Sequence, residues 1–412
     1  MLFRKIINYL NIFSFTLLIL LPFAYIAGPF LSDLSICLIG LIFLLNLNKK
    51  NYKKYLSNYF FYAFLFIYFY FVFTSLISTE VIFSLHSSLF YFRFFLFSIA
   101  VWHLLDLFFD YFKYITYALI FLYFLVLIDS YFQFFVGYNI VGYEYNGIRL
   151  SGIFGEEYIL GSFLSRLMPM LFAFTVISFK NNDKIVYFLS IIFILTDVLI
   201  FISGERLAFF YITLTTILFI LLVSRWKLIR IITFILSLLI IVFVTLYDDK
   251  IKSRMIDNTI QQSNILGDKI IVFTSEHESL YVQSFKIYQD NYIFGIGPRL
   301  FRIYCQYPKY VQRFGCSTHS HNTYIQLLVE TGVIGFLFFL SIFLLISYYF
   351  FKHAYSNFFY KKPIFNDYQI FLLIAVFITL WPLSPSANFF SNSISVIYFY
   401  PLGFLLKSFY KD

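Results

Sequence analysis

Two histidines one residue apart stand in His319-Ser320-His321-Asn322, with Tyr324, Ile325, Gln326, Glu330, Gly332 and Gly335 following. A histidine has an unperturbed pKa near neutrality, so at a wet membrane mouth it suits general-base work. His321 is the expected base because Asn322 follows it and it adjoins the coming helix, whose backbone holds a side chain more firmly than a loop does. His319 is expected to orient the loop or touch substrate. Asn322, Gln326 and Glu330 recur every four residues and so form one polar stripe on an otherwise apolar helix. Gly332 and Gly335 permit close approach of a neighbour. No metal or other cofactor is expected, since His-x-His supplies two ligands and no clear third is near.

Two arginines stand at expected helix ends. Arg149 opens Arg149-Leu150-Ser151-Gly152-Ile153-Phe154-Gly155, and Arg206 closes Ser203-Gly204-Glu205-Arg206. A guanidinium is always charged and grips phosphate through two donors, so a phosphate site is one reading and lipid-headgroup anchoring the other. Charges inside apolar runs are costly and are functional candidates. Asp129, Arg166 and Asp197 sit at similar depth and are expected to meet as a paired cluster, locking three helices or touching substrate. Arg93 lies deeper, with no assigned role.

These residues need an apolar scaffold. Of 412 residues 61 % are apolar and 12 % charged, and mean hydropathy is +0.82. Soluble domains run near ~45–50 % apolar and ~25 % charged, so a water-soluble globule is excluded. The sequence reads as all-α, a polytopic integral membrane protein of about twelve transmembrane helices with one large periplasmic loop. The apolar runs fall at 11–31, 34–47, 59–79, 83–104, 114–136, 158–179, 185–203, 207–223, 228–247, 323–350, 368–388 and 391–406. The last two are expected to be parted by little more than Asn388-Phe389-Phe390. The 61 Phe and 36 Tyr fit biased genome composition better than a sugar-stacking surface.

Orientation follows from Lys and Arg in short loops. With the N-terminus in the cytoplasm, that side receives Arg4, Lys5, Lys49, Lys50, Lys53, Lys54, Lys113, Lys180, Lys184, Arg225, Lys227, Arg230, Lys352, Lys361, Lys362, Lys407 and Lys411; the short outer loops receive Arg149 and Arg206. Both termini are therefore expected inside. This asymmetry accounts for most of the net charge of +9, so no nucleic-acid partner is expected. The expected organisation is 1–247 with nine helices, 248–322 as a periplasmic subdomain, and 323–412 with three. In the subdomain, Leu280, Phe285, Tyr288 and Tyr292 are expected on one helix face packed on the membrane side, ended by Gly295-Ile296-Gly297-Pro298. Cys305 and Cys316 lie eleven apart in an oxidising compartment and are a disulfide candidate, with Cys37 free.

The chain resembles the O-antigen ligase and polymerase superfamily of bacterial envelope enzymes. His321-Asn322 followed after nine residues by Gly332-Val333-Ile334-Gly335 carries most of the likeness, with Glu330, the Gly295–Pro298 turn, Ser203-Gly204-Glu205-Arg206, and Arg149 with Gly152 and Gly155. The resemblance implies a metal-independent, inverting GT-C-type glycosyltransferase of the inner membrane, working at its periplasmic face. Its donor would be a glycan on undecaprenyl diphosphate, and its acceptor a lipid A core in a ligase or a lipid-linked glycan in a polymerase. His321 would take the acceptor proton, and Arg149 and Arg206 would neutralise the departing diphosphate. A lipid-linked oligosaccharide flippase is the alternative from another class; it needs neither the one-sided loop nor the histidine.

Overall fold

A computed structural model describes residues 2–180, 183–263 and 273–410. Residues 264–272 of the long loop and Lys411 lie outside the described residues. Among the described residues the chain is helical, with one isolated β-bridge, Tyr138–Glu144, and no sheet. Among the described residues eight helical segments are long and apolar enough to cross a membrane, one of them a joined run, Val81–Val136; Arg206–Leu222 and Asp367–Thr379 are apolar but shorter. This is an all-α polytopic membrane protein.

Several boundaries depart from the apolar runs, two of them at prolines. The first run extends to 31, but the helix Leu2–Ala27 stops at Gly28, with φ 132, and Pro29 opens Pro29–Asn46. Proline fits the first helical turn, where its missing N–H costs nothing. The eleventh run extends to 388, but its helix, Asp367–Thr379, ends nine residues earlier, and Asn392–Phe409 begins only after a loop. Pro382 and Pro385, three residues apart, each remove a backbone donor and disfavour a regular helix there, although the loop is apolar enough to read as membrane.

The chain divides into two compact units. Unit 1 comprises Met1–Phe109, Phe273–Ser347 and Leu380–Asp412; unit 2 comprises Asp110–Val272 and Tyr348–Thr379. In unit 2, Leu160–Ser178 is the central helix: Phe172 packs on Phe193, Phe219 and Phe371, and a helix apolar all round belongs inside a bundle. In unit 1, Ser275–Asp290 turns Leu280 and Ile287 onto Leu300, Phe301, Tyr304 and Val329. Phe285 and Tyr292 are not on that buried face; they are 48 % and 58 % exposed. The inward face runs through Leu280, Gln283, Ser284 and Ile287, the ordinary three-and-four spacing, which places Phe285 and Tyr292 off it.

The expected cluster of Asp129, Arg166 and Asp197 does not form. Asp129 accepts the Ile140 N–H at 3.0 Å and the Asn139 side chain. Arg166 donates to the Ser162 carbonyl and lies 4.8 Å from the Tyr211 ring. Asp197 pairs with Arg230 at 2.8 Å, both buried, and also accepts from Ser237. Arg230, counted among the loop charges from sequence, is thus a buried partner in the first turn of the helix Lys227–Tyr247. Depth along a helix follows from sequence, but the direction in which a side chain points depends on packing. Arg93, unassigned before, donates to Asp33 and Asn392, each at 2.8 Å.

Candidate active site

Unit 1 holds the histidines. Asn322 caps the helix Thr323–Tyr360 by accepting the Tyr324 and Ile325 N–H groups, satisfying donors that a helix start leaves open. His321 precedes the cap with φ 53, a left-handed value that a non-glycine residue adopts only under constraint. The constraint is visible: the Ser386 N–H donates to the His321 carbonyl at 2.8 Å. His321 Nε2 lies 3.0 Å from Ser317 Oγ. His319 is buried, donates through Nε2 to the Ser386 carbonyl at 3.0 Å and accepts from Thr318. The two rings are 4.1 Å apart, and His277 lies 5.7 Å from His321.

Burial pushes His319 down to about 4, aided by His321 and Arg302. Burial, then the nearby His277, holds His321 below its ordinary range. Both rings are thus neutral at neutral pH, the form a base requires.

The polar stripe is real and fully used. Gln326 donates to Glu330 and to Asn388, each at 2.9 Å, and accepts the Phe389 N–H. Glu330 accepts the Phe301 N–H, and Asn322 donates to the Pro382 and Ser384 carbonyls. The helix breaks at Gly332, φ 65. The backbone groups freed there find partners: Ile296 and Gly297 donate to the Val329 and Glu330 carbonyls, Tyr70 to that of Thr331, and the Val333 N–H to Tyr292. A Cβ at Gly332 would run into the Ile293 carbonyl. The loop 380–391, read from sequence as helix, thus supplies Ser384, Ser386 and Asn388 to the site; the Pro382-x-x-Pro385 pair was its signal.

Unit 2 holds the arginines. Gln133 accepts the Gly152 N–H and Asn146 the Arg149 N–H, fixing the loop that carries Arg149. Arg149 donates to the Tyr158 carbonyl at 2.8 Å, while its Nε is buried without a partner. Arg206 donates twice to the Arg254 carbonyl, at 3.1 and 2.8 Å, and once to Gln262. Arg254 donates to the Gly204 carbonyl, and a Cβ at Gly204 would meet the Arg149 and Arg254 side chains. Ser203-Gly204 therefore gathers three arginines. Arg254 has no sequence signal of its own in the charge-rich long loop; burial and then Arg149 lower its proton affinity. The nearby carboxylate of Glu205 accepts from Gly161 and Ser162 and acts on Arg149 through space, but among the described residues no carboxylate lies within salt-bridge distance of the three guanidiniums. Such a cluster calls for an anion of more than one charge.

In unit 1, Cys305 and Cys316 form the expected disulfide and Cys37 is free. Among the described residues no group of three or more His, Cys, Asp or Glu is arranged to hold a metal ion.

No curated protein matches the chain. Residues 188–340 match the family model described as O-antigen ligase. The matched stretch contains Arg206, Arg254, both histidines and the Asn322–Glu330 stripe, and stops short of Arg149. That family implies ligase- or polymerase-type activity on lipid-linked glycans, and the match over residues 188–340 supports the likeness to the O-antigen ligase and polymerase superfamily.

Proposed function

We propose that the protein is an O-antigen ligase-type glycosyltransferase. It moves a glycan from undecaprenyl diphosphate to a sugar hydroxyl of lipid A core at the periplasmic face of the inner membrane, with both termini cytoplasmic. The observation that supports this reading most is the cluster of Arg149, Arg206 and Arg254 without a partnered carboxylate. A diphosphate leaving group concentrates its developing charge where such donors act.

His321 takes the proton from the acceptor hydroxyl as that oxygen bonds to the anomeric carbon. The bond from that carbon to the diphosphate oxygen breaks, and undecaprenyl diphosphate departs with the electron pair. One displacement inverts the anomeric configuration. His319 positions the segment through Ser386. The arginines replace the divalent metal that many sugar transferases use on a diphosphate.

Deletion of the gene in its host, followed by gel analysis of lipopolysaccharide, tests the reading. Loss of all attached polymer with the core intact supports a ligase. A single attached repeat identifies a polymerase instead, and unchanged lipopolysaccharide rejects both.

A further inference from the structure

Unit 1 contains a cavity of about 340 Å³ whose lining includes Asp33, Cys37, His86, Arg93, Arg299 and Asn392. None of these residues has a part in the transfer proposed above. The volume lies within the ~300–1,000 Å³ of small-molecule sites. Its two guanidiniums differ. Arg93 is committed on all sides: Nε to Asp33, one terminal nitrogen to the Phe90 carbonyl, the other to Asn392. Arg299 makes one long bond, to Ser87 at 3.3 Å, and its Nε is buried without a partner. The only carboxylate in the lining, Asp33, is engaged by Arg93 and Asn392.

Arg299 is also held in place at a cost. Its φ is 63, a left-handed value. The turn around it is clamped on the broken helix by the Ile296 and Gly297 bonds to Val329 and Glu330, and by Phe301 to the Glu330 carboxylate. A guanidinium fixed by a strained backbone, with unused donors facing a cavity of net positive charge, is pre-organised for an anion.

We infer that the Asp33–Arg93–Arg299 cavity binds a phosphate group carried by a lipid or a glycan, and that Arg299 grips it. The cavity carries its own reporter, because Cys37 lines it and is the chain's one free thiol.

The test is the rate of Cys37 alkylation by N-ethylmaleimide in the full-length protein in uncharged maltoside micelles. One arm adds glucose 1-phosphate, with glucose as control. The other adds dioleoylphosphatidic acid, with dioleoylglycerol as control. Saturating phosphate probe is expected to slow alkylation about tenfold or more, and Arg299→Gln to abolish the protection. Arg299→Lys keeps the charge without the fork and is expected to keep part of it. Protection by glucose 1-phosphate assigns the phosphate to a glycan; protection by phosphatidic acid alone assigns it to a lipid headgroup. No protection by either probe, or equal protection in wild type and Arg299→Gln, overturns the inference. Occupancy needs no transfer, so this result is read independently of glycan ligation.

Discussion

The backbone N–H of Ser386 donates to the carbonyl of His321, and the Ser386 carbonyl accepts Nε2–H of His319. One residue of the loop 380–391 thus fixes the backbone of one histidine and the ring of the other. The expected base is held by a partner more than sixty positions away, and the left-handed His321 is stabilised by that contact.

A first consequence concerns stability and pH. His319 is lowered from 6.5 to about 4 in the folded protein, mainly by burial. The unfolded chain therefore binds a proton that the folded chain refuses. Stability associated with this group is complete above about 6.5 and falls as pH drops toward 4. Thermal unfolding in detergent between pH 7 and 4 should show this decline, and His319→Gln should flatten it. An unchanged slope in the variant would remove His319 as its source.

The same sign applies to activity. A base must be unprotonated, and His321 is held below 6.5, first by burial and then by His277. The acid limb of kcat/KM should have its midpoint below 6.5. His277→Gln should move that limb upward, since a neighbouring positive charge is removed while burial remains. A limb that stays put shows that His277 has no electrostatic part.

The diphosphate role of the arginines predicts a graded series. Arg149→Ala and Arg206→Ala should abolish transfer with expression intact. Arg206→Lys should rescue poorly, because an ammonium cannot donate to the Arg254 carbonyl and also present a fork to phosphate. Arg254→Ala should raise the KM for lipid-linked donor. Full activity in both Arg149→Lys and Arg206→Lys would reduce the pair to headgroup anchors.

Orientation is tested by fusion. A periplasmic reporter near Gln262 should be active and one near Lys184 inactive. The reverse pattern would place His321 in the wrong compartment.

Much of this was legible in the sequence, for reasons that also explain the misses. The stripe Asn322–Gln326–Glu330 shows because a period near four is a property of one helix. Cys305 and Cys316 show because the bridge spans a short loop. The loop 380–391 does not show because its composition is apolar while Pro382 and Pro385 decide its backbone. The partnership of Asp197 with Arg230 does not show because facing across three helices is set by packing. Arg254 does not show because its meaning comes only from the Gly204 turn that gathers it with Arg149 and Arg206.

The most direct test of the account is in vitro transfer from purified undecaprenyl-diphosphate-linked glycan, comparing His321→Ala with His319→Ala. General-base catalysis is worth ~10²–10⁴-fold, so His321→Ala should lose that much turnover. His319→Ala should lose less, added divalent metal should not rescue His321→Ala, and chelators should not inhibit the wild type. Normal turnover by His321→Ala with a dead His319→Ala would contradict the account and move the base two residues upstream.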